Sequence, residues 1–291
     1  MLSFKQGTPF AKVTIGGKEK TLMIHDGTET NNVGFDESKF DKLSDKDLNT
    51  IKEALDNDNG KYLTGKLKRM YNQIINEGDL GKDFYHENAA VQIIPTEDPD
   101  QRDSIYITGP SGSGKSVYVS NFIAEYKKRY PKRNIILISG KDSDPALDKY
   151  KIGRIPIDET LVEDPINLDE MVNSLVIFDD IDQLGNKKIQ DAVWHLRDKI
   201  LEVGRSRGIS ICSVAHQITN YKASRVCLNE ADYVVLFCKS GARYGINYFL
   251  KKYLGLDNKQ IERVMNLPSR AVVIKKTYPM CVIYQNGCFI I

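Results

Sequence analysis

The last two-thirds or so of the chain is punctuated by short apolar runs rich in β-branched and aromatic residues. They are SIYIT (104–108), NIILIS (134–139), SLVIF (174–178), ISICSVA (209–215), YVVLF (233–237), RAVVI (270–274) and CVIY (281–284). Within each run the apolar residues are continuous, not alternating, so both faces of each strand must be buried. The segments between several of the runs are helical in pattern. Between SLVIF and ISICSVA, for example, residues 186–203 place Ile189, Val193, Leu196, Ile200 and Val203 on one face. Continuous strands alternating with amphipathic helices predict an α/β fold built on a mainly parallel sheet covered on both sides.

The first third has a different texture. Ala11 to Ile24 reads as a hairpin, two β-prone runs around Gly16-Gly17. From about Asp36 to Gly78 the chain is charged and helical in pattern, with Leu48, Ile51 and Leu55 at helix spacing and a break at Asn57 to Gly60. A polar stretch, TEDPDQRD at 96–103, leads into the strand-rich part. The expected division is an α+β appendage over residues 1–85 and a larger domain over 86–291. With 41% hydrophobic and 27% charged residues, the composition is that of an ordinary globular protein. Its apolar runs fall far short of the roughly 18 residues of a membrane span. The start, MLSFKQGTPFAKV, lacks the basic-then-apolar pattern of a signal peptide, which points to an intracellular protein. Three of the five cysteines, Cys212, Cys227 and Cys238, lie in or beside apolar runs and read as buried thiols. A net charge of +2 neither requires nor excludes a polyanionic partner.

The most specific motif is GPSGSGKS at 109–116, which fits G-x-x-x-x-G-K-[ST] and lies between the first apolar run and a helical stretch. Glycines there let the backbone of Gly109, Pro110, Ser111, Gly112, Ser113 and Gly114 wrap closely around phosphate oxygens. The N–H groups at the start of the new helix face the anion. Lys115 is expected to reach the β- and γ-phosphates of ATP, and Ser116 to offer a hydroxyl to Mg²⁺. The second element is SLVIFDDID, Ser174 to Asp182, where a buried strand ends in carboxylates. Asp179 is placed to hold Mg²⁺ through water. In the strand-inserted branch of P-loop proteins, which this pattern resembles, the position of Asp180 usually carries a glutamate that polarises the attacking water; an aspartate is one methylene shorter but able to do the same work, with Asp182 as the backup base. The plainer reading of Asp180 and Asp182 is as caps of the following turn.

Downstream, GRSRGISICSVAHQ delivers Arg205 and Arg207 at the end of a helix and Gln217 at the tip of the next strand. Parallel strands entered from one end finish at the other, so Gln217 is expected on the phosphate side as a γ-phosphate sensor. An arginine unable to reach its own nucleotide can reach a neighbour's. The plainer reading of the two arginines is a solvated basic turn favoured by the helix dipole.

Taken in order, GPSGSGKS, VIFDD and GRSRGISICSVAHQ resemble the FtsK–HerA superfamily of ring-forming DNA-pumping ATPases. The further segments SRVCLNEADYVVLF and LPSRAVVIKK narrow the resemblance to the poxvirus-type genome-packaging ATPases of nucleocytoplasmic large DNA viruses and virophages. It covers Ser104 to Ile291 and leaves the amino-terminal 85 or so residues outside. It implies a RecA-like P-loop core in which Lys115 and Ser116 bind nucleotide and metal, Asp179 and Asp180 form the Walker B pair, Gln217 is the sensor, and Arg205 matches a finger acting in trans. Related viral sequences often carry histidine after that arginine, whereas Ser206 stands here, which weakens the match at Arg207.

The resemblance further implies a homo-oligomeric ring, pentamer or hexamer, that moves double-stranded DNA into a capsid and docks on capsid or portal-like vertex proteins. Its setting would be the host cytoplasm, a virus factory or the virion. A conjugation or secretion motor on the same fold is one alternative, and a nucleotide-gated assembly scaffold without translocation is another. Lys239, Arg243, Lys251 and Lys252, with Tyr244 and Tyr248 interleaved, form a basic segment that could track a phosphate backbone or simply be a solvated face. Trp194, His195, His216, Cys281 and Cys288 read as structural, with His216 second to Gln217 as a nucleotide contact.

Overall fold

Strands buried on both faces need a layer on each side, and the chain supplies those layers unequally. The computed structural model describes residues 1–26, 44–56, 60–77, 79–98, 100–150, 152–182 and 184–291. From the amino terminus, β1 (Leu2–Ser3), β2 (Thr8–Ile15) and β3 (Lys18–Ile24) precede α1 (Asp45–Asp56) and α2 (Gly65–Glu77). Next come β4 (Asp79–Gly81), β5 (Asp83–Tyr85), β6 (Ala89–Ile93), β7 (Ser104–Thr108), α3 (Lys115–Arg129), β8 (Ile135–Ser139), α4 (Pro145–Asp148), β9 (Gly153–Ile155) and α5 (Thr160–Glu163). The chain continues through β10 (Leu175–Asp179), α6 (Lys187–Val203), β11 (Ser210–Ala215), α7 (Tyr221–Glu230), β12 (Tyr233–Leu236), α8 (Arg243–Lys252) and α9 (Asn258–Met265). It ends in β13 (Val272–Lys275), β14 (Cys281–Tyr284) and β15 (Gly287–Ile290).

Ten strands form one sheet in the order β5-β15-β14-β13-β12-β7-β11-β10-β8-β9. From β12 through β9 all neighbours are parallel; from β12 outward through β13, β14, β15 and β5 all are antiparallel. The mainly parallel sheet expected from the apolar runs is present. The antiparallel pairing of β13 with β14 and of β14 with β15 follows from chain length, because the few residues joining them cannot hold the dozen or more that a parallel crossover needs. The short strands β5, β9 and β15 carry no long apolar run and were not foreseen. The hairpin was: β2 and β3 pair through Ile15 and Lys18, with Gly16 and Gly17 both at positive φ in the two-residue turn. Residues 36–43 of the expected helical stretch and 57–59 of the expected break lie outside the described residues; α1 and α2 fall within the rest of that stretch.

On one face, α6 to α9 close over the sheet around Val176, Phe178, Ile211, Val234, Ile274 and Val282. On the other face, α3 supplies Val119, Phe122, Ile123 and Tyr126. The antiparallel wing has no crossover helix on that side, and the five-stranded sheet β4-β1-β3-β2-β6 lies there instead. Its Phe10, Val13, Leu22 and Ile93 join Phe122, Tyr126, Val273, Cys281 and Ile283 in a single buried cluster. A salt bridge of 2.9 Å from Lys12 to Glu125 ties β2 to α3. The backbone crosses between the sheets over Asp83–Ile93: β5 pairs with β15 in the large sheet and β6 with β2 in the small one. A cut after residue 85 therefore leaves β6 behind without its partner strand.

The polar stretch at 96–103 is anchored along much of its length. Arg102 donates to the carbonyls of Ile200 and Leu201, satisfying the end of α6. Asp103 is buried and accepts from the Thr96 amide at 3.1 Å. All five cysteines are free and buried. No helix among the described residues is long and apolar enough to cross a membrane.

Because the small sheet completes the cover of the large one, Phe10→Ala is expected to destabilise the whole chain by about 3–5 kcal/mol. Chemical unfolding followed by far-ultraviolet circular dichroism and by the single tryptophan, Trp194 on α6 in the opposite layer, should give one coincident transition at a lower midpoint. If the tryptophan signal keeps its wild-type midpoint while part of the dichroism shifts, residues 1–85 fold as a separate unit.

Candidate nucleotide site

β7, β11, β10 and β8 lie side by side in parallel, so their carboxyl ends meet at one edge of the sheet, and each ends in polar residues. After β7 the chain turns through the glycine-rich loop into α3. Gly112 and Gly114 stand at φ 73° and 111°, which side chains with a Cβ rarely adopt. The loop delivers the amino end of α3, with its free N–H groups and positive dipole, to the mouth of the cleft. Lys115 is buried at 8% exposure, and its ammonium donates to the carbonyls of Gly109 at 2.7 Å and Pro110 at 3.1 Å. Burial pushes its pKa down, while Asp179 and Asp180 pull the other way. Arg270, immediately before the last hairpins, donates to the carbonyls of Ser113 at 2.6 Å and Gly112 at 2.8 Å and so pins the loop from the other side.

β10 ends in Asp179, 3% exposed, whose Oδ2 has no hydrogen-bond partner. The Lys141 ammonium lies 3.5 Å from that oxygen, close enough to attract it but not bonded to it. Burial raises the Asp179 carboxyl above its ordinary value. Asp180 follows with φ 52°, a left-handed conformation that costs a non-glycine residue about 1–3 kcal/mol. Its two oxygens are held by different groups. Oδ1 meets His216 Nε2 at 2.7 Å, and Oδ2 pairs with Lys141. Burial alone would raise the Asp180 carboxyl, but the bonds from Lys141 and His216 outweigh it and hold the group below the usual range.

Lys141 reaches this position because Gly140 approaches the β10 loop closely; a Cβ there would lie 2.6 Å from the Asp180 carbonyl oxygen. Arg154 on β9 fixes the same turn by donating to the Lys141 carbonyl at 2.7 Å. The other ring nitrogen of His216, Nδ1, is 3.5 Å from Lys115 Nζ, so one imidazole links the phosphate loop to the acidic strand end. The His216 amide donates to Asp182 Oδ2 at 3.1 Å, which engages Asp182 as an acceptor for the backbone.

Lys115, Ser116, Asp179, Lys141 and His216 line one cleft of about 460 Å³, and Asp180 and Asp182 open onto a second beside it. Gln217 lies one residue past His216, exposed, and lines neither cleft; its backbone carbonyl accepts from Tyr106 at 3.0 Å. Arg205 and Arg207 sit in the turn before β11, at the opposite end of the strand from the cleft. At roughly 3.3 Å per residue, β11 alone keeps them well away from it. Arg205 is exposed, whereas Arg207 is paired to Asp169 at 2.6 Å. Sequence reasoning missed Lys141 and Arg270 and ranked His216 second. The available signal was positional: Lys141 and His216 each follow the end of a parallel strand that neighbours an identified one.

The residues present suit a hard divalent cation. Asp179 Oδ2 is an orphaned buried carboxylate oxygen, and the Ser116 hydroxyl lines the same cleft. Among the described residues no group of three or more His, Cys, Asp and Glu could hold a metal by itself, so most of such an ion's ligands would come from substrate and water. Lys141→Met should raise the pKa of the Asp180 carboxyl, read by carboxyl-carbon NMR titration. An unmoved titration would leave His216 as the group responsible.

No protein-family model matches the chain. It is 38% identical over 229 residues to "Uncharacterized protein V3" of Sputnik virophage, covering 78% of this chain and 92% of that protein. Among solved structures it is similar to B204, the DNA-packaging ATPase of Sulfolobus turreted icosahedral virus, at 15% identity and TM-score 0.46 over 65% of this chain and 98% of B204. It is also similar to the pCW3 conjugation coupling protein TcpA, at 14% identity and TM-score 0.43 over 66% of this chain and 62% of TcpA. On the virophage match the chain belongs to the family of Sputnik protein V3, and its ordered motifs resemble those of the FtsK–HerA-type packaging ATPases.

Proposed function

We propose that the protein is an ATP hydrolase that works as a homo-oligomeric ring and drives double-stranded viral DNA into a capsid. The observation carrying the hydrolase reading is the meeting of Lys115, Ser116, Asp179 and Asp180 at the carboxyl end of the parallel strands, each from a motif recognised independently in the sequence. The α3 amino terminus and Lys115 bind the β- and γ-phosphates. Mg²⁺, held by Ser116 and through water by Asp179, would neutralise charge on the phosphate oxygens. Asp180, ionised and fixed by Lys141 and His216, orients the water for in-line attack on the γ-phosphorus and accepts its proton. Gln217 is proposed as a sensor of the γ-phosphate, acting by rotation of its free side chain.

The DNA reading rests on family and surface chemistry. The virophage relative sets the biological context, and α8 presents a fitting face. Gly245, Ile246, Phe249 and Leu250 are buried, while Arg243, Tyr244, Tyr248, Lys251 and Lys252 point outward, with Tyr244 82% exposed. Basic and aromatic groups on one outward stripe suit a phosphate backbone. α8 follows β12, whose carboxyl end lies at the same sheet edge as the phosphate loop, so nucleotide state and DNA grip can be coupled over a short path. Capsid or vertex proteins would receive the ring.

Hydrolysis measured with and without duplex DNA, alongside native mass of the oligomer, tests the reading. Multiple-turnover activity stimulated by DNA is expected; single-turnover behaviour without stimulation would favour a nucleotide-gated scaffold. Co-purification with a secretion or conjugation complex instead of virions would favour a same-fold motor of that kind. Within the site, Lys115→Ala should abolish nucleotide binding. Asp180→Asn should keep ATP bound and lower kcat by about 10²–10⁴. Wild-type turnover by Asp180→Asn together with a dead Asp182→Asn would transfer the base to Asp182.

Arg205, exposed and remote from its own cleft, is proposed to act on a neighbour's γ-phosphate, where such a guanidinium is worth about 10³–10⁵ in rate. Arg205→Ala should bind ATP normally and hydrolyse it poorly. Mixing it with Asp180→Asn should restore part of the activity, because some interfaces then pair an intact Asp180 with an intact Arg205. A mixture that stays inactive, with mixed rings verified by native mass, would move the search to Arg207 and Arg225.

A further inference from the structure

Beside the phosphate cleft lies a second cavity of about 290 Å³, walled by β6, α3 and the β13–β14 hairpin. Tyr118, Asn121, Arg270 and Ala271 line both, so the two spaces run into each other at the first turns of α3. The floor is apolar, made by Phe122, Val273 and Ile283 from the buried core. Gln92, Asn121 and Gln285 stand around it, and none of their side-chain amides has an intramolecular partner among the described residues. No acidic side chain lines it.

A phosphate chain seated on the α3 amino terminus must send its sugar and base out along one side of that helix. Val117, 59% exposed on the first turn of α3, gives the phosphate cleft an apolar wall on that helix. A nucleobase has flat apolar faces and a polar edge, which calls for an apolar slot ringed by a few unspent donors and acceptors. Side-chain amides of Asn and Gln can meet the adenine N6 and N7 edge with a donor and an acceptor together. Arg270, already pinned to the phosphate loop, stands where the two spaces join, and its guanidinium plane can cover the base face.

We propose that this cavity holds the purine base of the bound nucleotide, with Asn121 and Gln92 reading its edge, and that strand β6 makes the small sheet part of the substrate site. This assignment rests on the P-loop reading above. It gives the small sheet a second role besides covering the antiparallel wing: nucleotide binding and the seating of that sheet become linked, because the ligand touches both.

The test compares binding of Mg-ATP, Mg-GTP and magnesium tripolyphosphate, the last carrying phosphates without a base, by calorimetry on the full chain. Ala90→Trp fills the cavity from an exposed position on β6. It should weaken ATP about 10-fold or more and leave tripolyphosphate unchanged, whereas Lys115→Ala should lose both. Gln92→Ala and Asn121→Ala, milder changes whose folding is checked by melting midpoint, should each cut the preference for ATP over GTP by about 5- to 10-fold. Unchanged ATP affinity in Ala90→Trp and in both amide variants would overturn the base site, as would equal wild-type affinity for ATP and GTP. Failure of the wild type to bind either Mg-ATP or tripolyphosphate would instead sink the P-loop reading, and the base site with it.

Discussion

A parallel sheet whose strands are apolar on both faces has no stable form until both faces are covered, and the rest of this molecule follows from how that cover is arranged. The helices that return the chain between parallel strands do most of it. Beyond β12 the strands become antiparallel and need no return helices, so the wing they form is bare on the α3 side. The amino-terminal sheet occupies that place, joining Phe10, Val13 and Leu22 to the α3 face. The small amino-terminal sheet is thus a layer of the same core, attached where the topology leaves a gap.

The same topology gathers the charged groups. Four parallel strands ending together bring Lys115, Lys141, Asp179, Asp180 and His216 to one edge of the sheet, where the buried charges of Lys115 and Asp179 are costly unless matched. The titration shifts describe the compromise. Lys115 is lowered and Asp179 raised, both chiefly by burial, whereas Lys141 is raised and Asp180 lowered because their mutual contact, with His216 added, exceeds the burial cost. Asp179 Oδ2 keeps an unbonded oxygen facing this cluster, and Asp180 is held in a left-handed backbone conformation. An orphaned carboxylate and a strained neighbour are uneconomical for stability alone and suit a site that binds a phosphate chain with its cation.

The Asp180 carboxylate is held from two sides. Lys141 and His216 each take one oxygen and set both the ionisation and the orientation of the carboxylate. Neither residue belongs to the phosphate loop or the acidic strand end. Each stands at the tip of a neighbouring strand, which is where the sheet can deliver a side chain without a long lever.

Much of this was legible in the sequence because it depends on short-range rules. Continuous apolar runs announced the strands, Gly16-Gly17 the hairpin, and GPSGSGKS and VIFDD a strand-to-helix turn and an acidic strand end, since backbone conformation and side-chain spacing are set within a few residues. Strand order, by contrast, is a property of long-range pairing. That β8 and β11 flank β10 could be known only once the sheet was assembled, and with it the approach of Lys141 and His216 to Asp180. The short strands β5, β9 and β15 form because a neighbour offers them a ladder, not because their own residues demand it. Arg205 and Gln217 were identified as residues by the sequence, but their distances from the cleft are fixed by which end of β11 each occupies. The sequence by itself determined which reactive side chains the chain carries and on which strand ends and turns; the tertiary structure decided which of them meet, because contact between residues far apart in sequence is settled by burial of the whole sheet and not by any local preference.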